Sequence, residues 1–193
     1  MSITSAKSGA TSISLALDNN FMEPIASTLV GSGGVNQITF NDIPQTYKHL
    51  QIRVLARTDR ANAQGDYIKL IFNSDIATNY AGHELSGWNS SALSAVNTSV
   101  GAAYVNRFAG ASQAANTFGA GVIDILDYAT NSKNKTIRSL AGWDDNTAGN
   151  IHFNSALWIN VNSINSIRII AGGGTVLSQY SSFALYGIKK AGA

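Results

Sequence analysis

The chain has 193 residues and no cysteine, and its 13 basic and 11 acidic side chains leave a net charge of +2. Charged residues are 12% of the total, about half the roughly 25% usual for a soluble domain, so polarity rests on Ser, Asn, Gly and Thr. A hydrophobic fraction of 45% excludes disorder, the missing cysteines exclude disulfide scaffolds, thiol nucleophiles and cysteine-held zinc, and the scattered, nearly balanced charge gives no footprint for nucleic acid.

Residues 1–34 read as an N-terminal extended arm that ends in a glycine-rich hinge, Gly31-Ser-Gly-Gly34. Ile13, Leu15 and Leu17 alternate with Ser14 and Ala16, the pattern of a strand in search of an edge. With Ile3 and Phe21 they are the side chains expected to meet another subunit. Met1 to Asn20 lacks the basic-then-apolar layout of a secretory signal. No run of about 18 apolar residues occurs, so a soluble protein made in the cytoplasm, with no membrane partner, is expected.

From Val35 onward the period is two. Leu50, Ile52, Val54 and Ala56 oppose His49, Gln51, Arg53 and Arg57; Ile68, Leu70 and Phe72 oppose Tyr67, Lys69 and Ile71. Further on, Phe153, Ser155, Leu157 and Ile159 oppose His152, Asn154, Ala156 and Trp158. The pattern predicts strands near 35–41, 47–58, 66–73, 79–87, 100–109, 117–127, 135–143, 151–161, 165–171 and 179–189, separated by turns such as Asp144-Asp-Asn-Thr-Ala-Gly149 and Gly172-Gly-Gly174. No window shows a capped 3.6-residue stripe. The expectation is an all-β protein: a single antiparallel β-sandwich or jelly roll of about eight to ten strands over 35–193, preceded by the arm over 1–34.

Chemistry is sparse. His49 and His152 fall on the polar faces of their strands, and His83-Glu84 would point to opposite faces, so no metal set converges. Asp124 and Asp127 would also face apart, while Asp144 and Asp145 belong to a turn in which Asp and Asn bond their own backbone. Neither glycine run opens a helix or precedes Lys-Ser/Thr, which leaves no phosphate cradle. No catalytic, cofactor-binding or metal residue is assigned. Trp88-Asn89 and Trp143-Asp144-Asp145 could instead grip a sugar, ring against ring with polar side chains for the hydroxyls; the competing reading has both tryptophans plugging the end of the core or a subunit interface.

The ordered set Ile25-Ala-Ser-Thr-Leu-Val-Gly-Ser-Gly-Gly34, Ile38-Thr-Phe40, Ile43-Pro-Gln-Thr-Tyr47, Leu50-Gln-Ile-Arg53, Ile123-Asp-Ile-Leu-Asp-Tyr128, Lys135-Thr-Ile-Arg138 and Ser181-Ser-Phe-Ala-Leu-Tyr-Gly-Ile188 resembles a family of tailed-phage virion structural proteins, frequent in phages of aquatic bacteria. The resemblance implies a non-enzymatic β-sandwich module of the virion, assembled in the host cytoplasm. Such a module would partner the major capsid protein or other virion proteins. The first expectation is a homo-oligomeric (dimeric or trimeric) capsid decoration, or cement, protein held by its arm. The alternative is a tail-fibre or receptor-binding module for host glycans.

Overall fold

The computed structural model describes residues 21–190. They form twelve strands: β1 (Met22–Leu29), β2 (Gln37–Phe40), β3 (His49–Ala56), β4 (Gly65–Phe72), β5 (Tyr80–Trp88), β6 (Ser91–Val100), β7 (Ala103–Ala109), β8 (Gly119–Leu126), β9 (Lys135–Asp144), β10 (Gly149–Trp158), β11 (Ile167–Ala171) and β12 (Ser182–Ile188). An eight-stranded sheet in the order β1-β12-β3-β8-β9-β10-β5-β6 packs on a four-stranded sheet in the order β2-β11-β4-β7. Neighbouring strands within both sheets are antiparallel. The fold is the expected all-β sandwich, and the chain switches sheets at every join except β5–β6, β8–β9 and β9–β10.

Alternation fixes the core. Leu50, Ile52, Val54 and Ala56 of β3, Ile68, Leu70 and Phe72 of β4, and Phe183 and Leu185 of β12 all point between the sheets and are buried. At one end Tyr80 stacks on Trp158 with ring centroids 6.2 Å apart, and Phe72 lies 5.5 Å from Trp158. Their polar atoms are satisfied: Tyr80 OH donates to the Asp75 carbonyl at 3.0 Å and accepts from Phe72 N at 3.1 Å, while Trp158 Nε1 donates to Asp75 Oδ2 at 2.8 Å.

Two strands were not legible. Met22–Leu29, which the division at residue 34 assigns to the arm, is an edge strand of the large sheet paired with β12; the sandwich therefore begins before the glycine run. Pro24 and a bulge between Pro24 and Ala26 break its alternation. Gly31 to Gly34 is the turn that carries the chain to β2, where a Cβ on Gly34 would sit 2.7 Å from the Leu177 carbonyl. The other strand is β6, whose Ser- and Ala-rich sequence is exposed along nearly its whole length.

Candidate functional site

Strands β5, β10 and β9 carry an inverted polarity. Their inward residues include Glu84, Ser86, Ser139, Asn150, His152 and Asn154, all buried, while Leu85, Leu140, Ile151 and Phe153 face out. Period two forces this. Ala156 and Trp158 must enter the core at one end of β10, so parity carries Asn154, His152 and Asn150 inward as well. The sequence places His152 and Asn154 on a polar face, and that face is the buried one.

The buried polar side chains form a connected interior cluster. Tyr67 OH lies 2.9 and 2.8 Å from the two Glu84 carboxylate oxygens and 2.8 Å from Arg107 Nη2, which donates to it. The Arg107 guanidinium also stacks over the Tyr67 ring at 4.4 Å. With its amide turned to satisfy both atoms, Asn154 donates to the His83 carbonyl at 2.9 Å and accepts from Asn106 N at 3.0 Å. His152 Nδ1 lies 3.9 Å from Glu84 Oε2, too far for a hydrogen bond. Burial, reinforced by the Arg107 charge, pushes the imidazole down to about 4. The cluster is closed to solvent at His152, 1% exposed. Among the described residues no three His, Cys, Asp or Glu converge as a metal set.

The outward face is the notable surface. Strand register aligns Leu85, Phe153, Leu140 and Val122 in one row across four strands, and Gly87, Ile151, Gly142, Ala120 and Leu55 in the next across five. Leu85 is 59% exposed, Ile151 58% and Phe153 50%. Single exposed apolar residues are ordinary, but a contiguous strip of them marks an interaction surface. Polar and charged side chains flank it: Gln51 Nε2 donates to Asp124 Oδ1 at 2.7 Å, Arg53 Nε donates to Gln51 Oε1 at 2.7 Å, and Arg138 sits opposite Asp124 in the register.

A groove of about 1090 Å³ lies at one end of this face, between Gly142, Gly87 and Ala120 on its floor and the Asn146–Ala148 turn as its wall. Of the proposed sugar-contacting residues, Asn89, Trp143 and Asp144 line it. Trp143 is buried, however, and meets Trp88 edge to face at 5.6 Å, so its ring gives no stacking platform. The polar residues serve their own turns. Asn89 Oδ1 accepts from Gly149 N at 3.0 Å and Asp144 Oδ1 from Asn146 N at 2.8 Å. Asp145 Oδ1 accepts from the Thr147 hydroxyl and the Thr147 and Ala148 amides, and these bonds hold its carboxyl down to about 2.

Of the arm residues, Ile3, Ile13, Leu15 and Leu17 lie outside the described residues. Phe21 is exposed where β1 begins, and its carbonyl accepts from Lys189 N at 3.0 Å. Sequence reasoning missed Leu85, Leu140, Ile151 and Phe153 as a surface. The available signal was the parity of β10, counted back from Trp158. No protein-family model matches the chain, and no curated protein does.

Proposed function

We propose that the chain is a non-enzymatic structural protein that works by laying the outer face of its large sheet on another protein. Its place in this reading is that of a decoration subunit on the outside of a phage capsid. The apolar strip of Leu85, Phe153, Leu140 and Ile151 is the observation that supports docking. Burying such a strip removes apolar surface from water, which favours association by about 25 cal/mol per Å². The virion setting is supported by the ordered sequence motifs.

The decisive experiment pairs a stained gel of purified particles with add-back of protein to undecorated heads. A cement subunit is present in hundreds of copies, and Leu85→Asp with Phe153→Asp abolishes its binding while the far-UV spectrum is unchanged. A few tens of copies per particle, or undiminished binding by that variant, would defeat the reading.

The groove beside Asn89, Asp144 and Asn146 favours a second reading, a glycan-binding tail-fibre module. Capture of immobilised host-surface polysaccharide by the purified protein, lost in Asn146→Ala, is its signature.

A further inference from the structure

The sandwich has four sheet edges, and they are not alike. An edge strand presents unpaired main-chain N–H and C=O groups, a template for another strand unless some feature blunts it. β1 carries Glu23, Pro24 and a bulge. β2 is four residues long. β7 is broken by a register shift opposite Tyr67–Lys69 and has Asn106 at φ 96°.

β6 carries such a device only at its far end, where a bulge falls between Asn97 and Val100 and Ser99 has φ 52°. Its ten residues, Ser-Ala-Leu-Ser-Ala-Val-Asn-Thr-Ser-Val, include no charge, no proline and no glycine. From Ser91 to Asn97 it pairs with β5 in unbroken register. No backbone hydrogen bond reaches its far side from the described residues. Leu93 is 54% exposed and Val96 56%.

We infer that β6 is the subunit interface of a homodimer, pairing antiparallel with β6 of a second copy about a two-fold axis perpendicular to the sheet. Three features favour a second copy over a foreign strand. An uncharged strand meets itself without the like-charge penalty that directly opposed charges impose. A two-fold contact must be self-complementary, and a uniform strand of small and β-forming residues satisfies that in any register that keeps the faces matched. The perpendicular axis also keeps both outer faces on one side. Ala92, Ser94 and Val96, the partners of Gly87, Leu85 and His83, then extend each copy's apolar strip toward the other's. The unbroken edge from Ser91 to Asn97 is about 24 Å long, and closing it joins the two large sheets into one.

The inference goes beyond capsid docking and is tested without a capsid. Sedimentation of the full chain should show twice the monomer mass at micromolar concentration, and hydrogen exchange should show protected β6 amides. Ser94→Lys with Val96→Lys places like charges across the axis at exposed positions; it should raise the dissociation constant by about 100-fold or more, with the melting of the monomer unchanged. The docking variant Leu85→Asp with Phe153→Asp should remain dimeric. A monomer at all accessible concentrations, unprotected β6 amides, or a dimer that the paired lysines leave intact would overturn it. So would loss of the dimer in Ile13→Ser, Leu15→Ser, Leu17→Ser, which would give the edge to the arm.

Discussion

Two carboxylates, one in the β3–β4 connection and one in β4, organise the Gly172–Gly174 loop, which the sequence shows only as a turn. Asp66, fully buried, accepts from Gly173 N at 2.8 Å and Gly174 N at 2.9 Å, and Asp59 Oδ1 accepts from Thr175 N and Val176 N at 2.7 and 2.9 Å. The amides thus wrap the protein's own acids, with no room for an external anion. A Cβ on Gly174 would lie 2.6 Å from Asp59 Oδ1, so the glycine is needed for that approach. Asp66→Ala removes the acceptor of both amides and the buried carboxylate that faces Arg60 at 3.5 Å, and should cost about 3 kcal/mol in urea unfolding; Asp66→Asn, which keeps one acceptor, should cost less. His152 sets a pH dependence. The unfolded imidazole titrates near its ordinary value of 6.5 and the folded one at about 4, so between these limits the unfolded chain binds more protons and stability falls as pH falls. For one such group the loss totals about 3 kcal/mol by pH 4. Below that Asp127 takes over: Lys133 and Lys48 hold its carboxyl down to about 2, and its contribution is lost between pH 4 and 2. Urea midpoints measured from pH 7.5 to 4.5 should slope for the native chain and flatten for His152→Gln. An unaltered slope in that variant would assign the titration elsewhere.

At the scale of elements, β10 explains both what the sequence made legible and what it hid. Alternation in a strand identifies two faces and does not say which is inside. For β3 and β4 the choice was plain, because one face is wholly apolar: Leu50, Ile52 and Val54, or Ile68, Leu70 and Phe72. For β10 both faces mix polar and apolar residues, and only the tertiary context of Trp158 decides. The proposed sugar-contacting residues failed to give a stacking platform for a related reason, since Trp143 shares its inward parity with Asn150 opposite it. β1 and β6 escaped notice because edge strands need no buried face, so their sequences carry little period. The inversion has a measurable consequence. Phe153→Ser removes an exposed ring and should change stability by no more than about 0.5 kcal/mol, whereas Ala156→Asp, nearer Trp158 and on the inward face, buries a charge and should prevent folding. Paired thermal melts of the two variants, with recovery of soluble protein, distinguish this arrangement from the opposite one.

Across the whole molecule, sheet switching makes neither sheet an independent unit. β12 is laid between β1 and β3, so one end of the large sheet closes only after the last strand has been added. The small sheet likewise gathers β2, β4, β7 and β11 from four separate stretches of chain. Seven of the ten strand pairings therefore join strands that are not consecutive in the chain, and loop-closure entropy must be met before those seven stabilise the fold. Two outcomes follow from that topology. Refolding should take milliseconds to seconds rather than microseconds, and unfolding should be a single transition. Phe183 tests the second point: it is buried in β12 between Thr28 and Val54 in the register, far along the sheet from Trp158. Phe183→Ala should cost about 3–5 kcal/mol. If the sandwich is one cooperative unit, that loss shifts tryptophan fluorescence, which reports β5, β9 and β10 through Trp88, Trp143 and Trp158, by the same denaturant increment as far-UV ellipticity. A fluorescence midpoint that stays in place while the ellipticity midpoint moves would mean that the β1-β12-β3 edge unfolds alone. The switching connections would then not couple the two ends of the large sheet.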